Sequence, residues 1–144
     1  MPMKKEDFIL TKLTWHEVSD KLDTQPIAEA LNTSLHLSNY GSGVKRVYFT
    51  FVAVKPSNKL HENEVRFDKK SKTLELSLNL SYEHLESADL ATVLKMQAML
   101  FLVSIDLWER FGIGDFDRER FRVDVEKLFE EKGWMEKNGF RIQS

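Results

Sequence analysis

The sequence predicts an α+β domain in which a four-stranded antiparallel meander packs one face on an N-terminal helix and two C-terminal helices. Three observations point there. Val44 to Leu80 is rich in residues that alternate apolar and polar at the strand period. Asp89 to Phe129 instead places its apolar residues at helical spacing. Glycine, proline, asparagine or lysine-rich turns separate the segments.

Taken in order, Thr14-Trp15-His16-Glu17 reads as a capping box, with Trp15, Val18 and Leu22 on one helical face. A second short turn, Gln25 to Leu31, follows with Thr24 as its cap. Leu35 and Leu37 then alternate with His36 and Ser38 as a first strand, and Gly41-Ser42-Gly43 supplies the positive φ angles of a tight hairpin. Val44 to Lys55 forms the next strand. It points Val47, Phe49, Phe51 and Ala53 one way and Arg46, Tyr48, Thr50 and Val52 the other. Asn63 to Asp68 is a third strand with Val65 and Phe67 on one face. Lys69 to Lys72 turns the chain, and Thr73 to Leu80 is the clearest strand, with four leucines alternating against Glu75, Ser77 and Asn79. Asp89 to Phe111 is a central helix, ended by Gly112-Ile113-Gly114. Asp117 caps the last helix, whose inner stripe is Phe121, Val125, Leu128 and Phe129. Arg120–Asp124 and Arg122–Glu126 are expected as i,i+4 pairs on its outer side. Gly133 and Trp134 fit a Schellman stop.

Composition bounds the function. The 144 residues suit a single domain spanning 1–144 that buries a core without staples. With 42% hydrophobic and 31% charged residues the chain is an ordinary globular one, and a net charge of -2 gives no global pull toward nucleic acid or an anionic membrane. The absence of cysteine removes disulfides, thiolate nucleophiles and Cys-built metal sites. Phe8-Ile9-Leu10 is cut short by Thr11-Lys12, so no secretory core is readable. The longest apolar run, Ala98 to Val103, is far below a membrane span. A cytoplasmic protein with no membrane partner is expected.

Chemistry-bearing patterns are sparse. His16, His36, His61 and His84 include no i,i+4 pair, so no metal is expected. No Gly-x-Ser-x-Gly elbow exists, and Gly41-Ser42-Gly43 is too short for a phosphate loop. Asp115 and Asp117 are accounted for by capping, and Glu130-Glu131 by a solvated helix face. No catalytic residue and no enzyme activity are expected. An open sheet face is also how RNA-recognition domains present stacking aromatics, but Tyr48 stands alone here, so no nucleic-acid partner is expected.

What remains is that face. If the alternation holds, Arg46, Tyr48, Glu64, Arg66, Glu75, Ser77 and Asn79 share one surface with His36 nearby. Tyrosine and arginine are enriched at binding hot spots, and mixed charge supports partner discrimination. An ordinary solvated face is the plainer reading of the same residues.

Several segments together resemble small immunity proteins of bacterial polymorphic toxin systems. They are Val65-Arg66-Phe67-Asp68-Lys69-Lys70 with Thr73 to Glu83, the helix around Met96 to Ile105, and the ending Asp115-Phe116-Asp117-x-x-Arg120-Phe121-x-x-Asp124-Val125-x-x-Leu128-Phe129-x-x-Lys132-Gly133-Trp134. The resemblance implies a cytoplasmic protein that binds and blocks a cognate toxin domain and needs no cofactor. A monomer or weak dimer is expected. Many such toxins are nucleases with basic clefts. The acids here are spread over Glu62-Glu64, Glu83-Glu86-Asp89 and Glu130-Glu131, so charge mimicry stays open without being demanded, and steric occlusion by the sheet face or an adjacent helix edge is the expected mechanism. Two alternatives stay open: an interaction module unrelated to toxins, homodimeric through the sheet, and a small-ligand protein with a pocket between helices and sheet.

Overall fold

The structure is a computed structural model that describes residues 7–10, 25–54, 64–81 and 89–136. Its strands are β1 (Phe8–Leu10), β2 (Arg46–Val54), β3 (Glu64–Asp68) and β4 (Thr73–Ser81). Its helices are α1 (Gln25–Ser34), α2 (Leu90–Leu107) and α3 (Arg118–Glu131), with 3-10 turns at Leu37–Tyr40 and Trp108–Phe111. The capping-box helix expected from Thr14 lies outside the described residues.

The α+β class holds, but the meander does not. The sheet is mixed, in the order β1-β2-β4-β3. β2 runs parallel to both β1 and β4, and only β3 and β4 form an antiparallel pair. The two long strands pair along their whole length, from Arg46 opposite Thr73 to Val54 opposite Ser81. Short β1 and β3 are left at the edges. This order puts the longest strands in the middle, where both sides of each are hydrogen-bonded, and leaves little unpaired edge. The first expected strand is absent. Leu35 ends the turn after α1 by donating to the Leu31 carbonyl at 2.9 Å, and Leu37 opens a 3-10 turn. α1 is also longer than expected, running on to Ser34.

Both edges are closed by side chains from neighbouring elements. On β1, the Asn32 carboxamide accepts from the Asp7 and Phe8 amides at 3.2 and 2.9 Å and donates to the Phe8 carbonyl at 2.7 Å. It pairs Phe8 as an additional strand would. On β3, the Arg110 guanidinium donates to the Val65 carbonyl at 3.0 Å while lying against the Phe111 ring.

The apolar face of the sheet carries Phe8, Val47, Phe49, Phe51, Val65, Leu74, Leu76, Leu78 and Leu80, all buried as the alternation requires. The helices cover it. α2 starts at Asp89, whose side chain accepts from the Thr92 amide at 2.8 Å. The segment Leu90–Phe111 is long and apolar enough to cross a membrane by length and composition, but here one side of it is a core helix. Phe101 is fully buried and meets Phe8, Phe49 and Phe129 edge-on. α3 ends in the expected Schellman motif. Gly133, at φ 75°, donates to Glu130, and Trp134 donates to the Phe129 carbonyl at 2.9 Å with its ring against Phe129. Of the two expected ion pairs, Arg122–Glu126 forms at 3.2 Å. Arg120–Asp124 is replaced by tertiary contacts: Asp124 accepts from the Tyr40 hydroxyl at 2.6 Å, and Arg120 lies over the Tyr40 ring and donates to the Asn39 carbonyl.

Two core side chains are out of character: Trp108, whose buried indole N–H has no hydrogen-bond partner, and Gln97. Gln97 is fully buried on α2, and neither its amide nitrogen nor its carbonyl oxygen has a hydrogen-bond partner. A buried unsatisfied polar group costs about 1–3 kcal/mol. Methionine has similar length and no such requirement, so Gln97→Met is expected to stabilise the fold by about 1–3 kcal/mol in chemical denaturation. A loss of stability instead would mean that the carboxamide is satisfied in solution.

The glycines expected to make a hairpin do something else. Gly41-Ser42-Gly43 is clamped to the loop that enters α3. The Ser42 amide and hydroxyl both donate to the Asp115 carboxylate, and the Gly43 amide donates to the Asp115 carbonyl at 2.9 Å. A Cβ at Gly41 or Gly43 would overlap the carbonyl oxygens of Asp115 and Gly114, so the close approach of two backbones is what requires glycine. Hydrogen bonds from Ser42 hold the Asp115 carboxyl below the usual aspartate range. Beside the clamp, the Asp117 amide donates to the Tyr40 carbonyl at 2.8 Å. Burial, then the bond to Asp124, pushes the Tyr40 phenol well above its ordinary pKa, so it stays a neutral donor.

Candidate functional site

The second face of the sheet is polar, and strand register decides how its residues meet. One row across the sheet reads Ile9, Tyr48, Glu75, Arg66. The next reads Thr50, Ser77, Glu64, and the one on the other side Arg46, Thr73, Asp68. Asn79 follows Ser77 on the same side of β4 by strand alternation. All seven residues expected to share a surface therefore do so, although the strands carrying them pair in a different order from the one anticipated.

The rearrangement changes who is adjacent. In a meander β3 would separate β2 from β4. Instead Tyr48 on β2 sits directly opposite Glu75 on β4, and Arg66 lies on the far side of Glu75. Arg46 reaches along its strand and donates to the Tyr48 hydroxyl at 3.4 Å. Arg66 donates to Glu64 at 3.3 Å, but the two side chains are 74% and 63% exposed. Such an exposed pair holds its geometry weakly and can be re-paired by an incoming partner at little cost. Tyr48, Thr50, Ser77 and Asn79 are half-buried, while Glu64, Arg66 and Glu75 are exposed. The surface is thus a tyrosine flanked by two arginines and by acids, with hydroxyl and amide groups behind it.

His36 does not join these rows. It precedes the 3-10 turn, in extended backbone, and lies on no strand. Ile9, Thr50 and Asp68 do belong to the face and were not singled out from sequence. Thr50 and Asp68 were legible in the alternation. Ile9 was not, because three residues carry too little pattern to identify β1 as a strand.

Other chemistry is thin. Among the described residues no group of three or more histidine or acidic side chains is placed to hold a metal ion. Glu62, Glu83 and Glu86, three of the acids relevant to charge mimicry, lie outside the described residues. A groove of about 280 Å³ lies between α1 and the end of α3, lined by Pro26, Glu29, Ala30, Thr33, Lys132 and Trp134. It separates two helices rather than helices and sheet, and falls just below the size of typical small-molecule sites.

A family model described as Immunity protein 44 (Imm44) matches residues 7–131. No curated protein and no solved structure matches the chain.

Proposed function

Because the chain belongs to the Immunity protein 44 family, we propose that it binds a cognate bacterial toxin domain and neutralises it by steric occlusion, using the polar face of its sheet. The family match carries the functional class, since it spans every described strand and helix. The choice of surface rests on the register that sets Tyr48 among Arg46, Glu75 and Arg66. An aromatic anchor among flexible charges of both signs gives a partner buried area at Tyr48 and orientation from the charges around it.

In this reading the protein acts in the cytoplasm of the cell that makes the toxin, as a binder without catalysis or cofactor. The toxin belongs to a polymorphic toxin system and is of the kind that includes nucleases. The mixed charge of the face favours covering a site over imitating a nucleic-acid substrate. Three acids (Glu64, Asp68, Glu75) stand beside two arginines (Arg46, Arg66), and a phosphate mimic would present a one-signed surface.

The test is a double charge reversal, Arg46→Glu with Arg66→Glu, assayed for binding to the toxin encoded beside it. Arg66 is exposed and Arg46 only half-buried, so the fold should survive, with an unchanged circular dichroism spectrum. Affinity is expected to fall at least about tenfold, which corresponds to about 1.4 kcal/mol. Unchanged affinity in a folded double variant would remove the sheet face from the interface.

A further inference from the structure

We propose that the end of the sheet beside the β3–β4 turn is a basic docking rim, which receives an acidic surface of the toxin domain next to the part that covers Tyr48. The inference rests on the sheet-face reading above and adds the chemistry of the partner.

Strand order builds the rim. The parallel pairing of β2 with β4 brings the starts of both strands to one end of the sheet, beside the turn that joins β3 to β4. Arg46 lies opposite Thr73, and Thr73 lies opposite Asp68. The Lys45 amide donates to the Lys72 carbonyl at 2.8 Å. Neighbouring strands are about 4.8 Å apart, so Arg46 and Asp68 stand about 10 Å apart. Lys45, Arg46, Lys69, Lys70 and Lys72 therefore cap the ends of three adjacent strands. Lys45, Lys69 and Lys70 are exposed, while Arg46 and Lys72 are half-buried.

Three aspartates stand at the same end, but the fold itself engages their oxygens. Asp7 accepts from the Leu37 amide at 2.8 Å, and Asp68 accepts from the Lys70 amide at 3.0 Å. Asp115 accepts from the Ser42 amide at 3.0 Å and from its hydroxyl. Among the described residues none of the five cations forms an ion pair. Five cations thus stand against three aspartates, in a chain whose net charge is -2. Like charges gathered without ion pairs repel one another, and an acidic partner relieves that repulsion as it docks.

The same chemistry argues for protein over nucleic acid. Single-stranded nucleic acids are held by cations interleaved with aromatics on which bases stack. Neither Lys45 nor the turn from Lys69 to Lys72 contains an aromatic residue. An excess of two positive charges also suits a discrete acidic patch better than a continuous run of phosphates.

Stopped-flow association with the toxin domain encoded beside this chain tests the rim, because charges at the edge of an interface act chiefly on the association rate and its salt dependence. The wild-type association rate is expected to fall at least about tenfold between about 20 and about 300 mM salt. Lys45→Glu, Lys69→Glu and Lys70→Glu together should slow association at least about tenfold at low salt and change dissociation less than about threefold. Lys95→Glu, Lys127→Glu and Lys132→Glu together change the net charge equally, at exposed positions on or just after the helices. That control should slow association less than about threefold. Tyr48→Ala reports on the sheet face and should speed dissociation instead. Unchanged or faster association of the rim variant would overturn the proposal. Equal slowing by both triple variants would overturn it too, by assigning the effect to net charge. An unaffected rim variant with a fast-dissociating Tyr48→Ala would leave the sheet face standing without the rim. A slowed rim variant with an unaffected Tyr48→Ala would support the rim and remove the sheet face. A fluorescein-labelled RNA of about 20 nucleotides that binds wild type and not the rim variant, with toxin association unchanged, would overturn the proposal and give the rim to nucleic acid. A wild-type chain that does not bind the toxin would overturn both readings.

Discussion

Replacing Phe121 with alanine is expected to lower the unfolding free energy by about 3–5 kcal/mol, the usual cost of emptying a buried aromatic site. Phe121 is fully buried, and its ring meets four others from different parts of the chain. Phe8 of β1 stacks on it at 6.0 Å, and Trp108 from the end of α2 does so at 5.5 Å. Tyr40 meets it edge-on at 5.1 Å, and Phe116 packs against it at 5.6 Å. These rings come from the edge strand, both 3-10 turns or their neighbours, and the loop clamp, so they cannot all move inward to fill one cavity. Domains of this size are stable by only about 5–15 kcal/mol, and the variant can fail to fold at physiological temperature. Phe121→Leu keeps most of the volume and should cost clearly less, so the pair can be compared by urea denaturation in the cold. A cost below about 1 kcal/mol for the alanine variant would show that the ring cluster collapses around the gap and does not hold these elements together.

Replacing Asn32 with alanine is expected to cost about 1.5–4.5 kcal/mol, from three hydrogen bonds at about 0.5–1.5 kcal/mol each. The carboxamide satisfies two amides and a carbonyl at the start of a strand of only three residues. β1 pairs with β2 on its other side, where the Val47 amide donates to the Asp7 carbonyl at 2.8 Å. Among the described residues Asn32 is the group that pairs the outer edge of β1, above the fully buried Phe8. Amide hydrogen exchange provides a local readout. The Asp7 and Phe8 amides should lose protection in Asn32→Ala well beyond any global change. Asn32→Asp offers a graded comparison, because it keeps the acceptor for the two amides and loses the donor to the Phe8 carbonyl. Equal protection of Phe8 in wild type and the alanine variant would show that β1 does not depend on this side chain.

Much of the local structure was legible because it is governed by neighbours in sequence. The leucines of β4, the alternation in β2, the Asp117 cap and the Gly133–Trp134 stop each depend on a few adjacent residues and formed as their pattern requires. The seven residues of the polar face were found together for the same reason, since strand alternation determines the side on which each one points whatever the strand order.

Three features depended on partners distant in sequence. Gly41-Ser42-Gly43 carries the signature of a hairpin, but close approach to the Asp115 loop uses the same backbone freedom for a tertiary contact. Arg120 and Asp124 are spaced for an ion pair along α3, yet the buried Tyr40 beside them takes the carboxylate, and the Arg120 side chain turns to its ring and to Asn39. The sheet order is the largest case. Sequence by itself determined an α+β chain with an apolar and a polar sheet face and an aromatic core, because burial periodicity is written residue by residue. Only the tertiary structure decided that β4 lies between β2 and β3, and hence that Tyr48 faces Glu75. Every strand presents the same hydrogen-bonding backbone edge, so the choice among pairings falls to the total burial and edge closure of the whole assembly, which no single segment encodes.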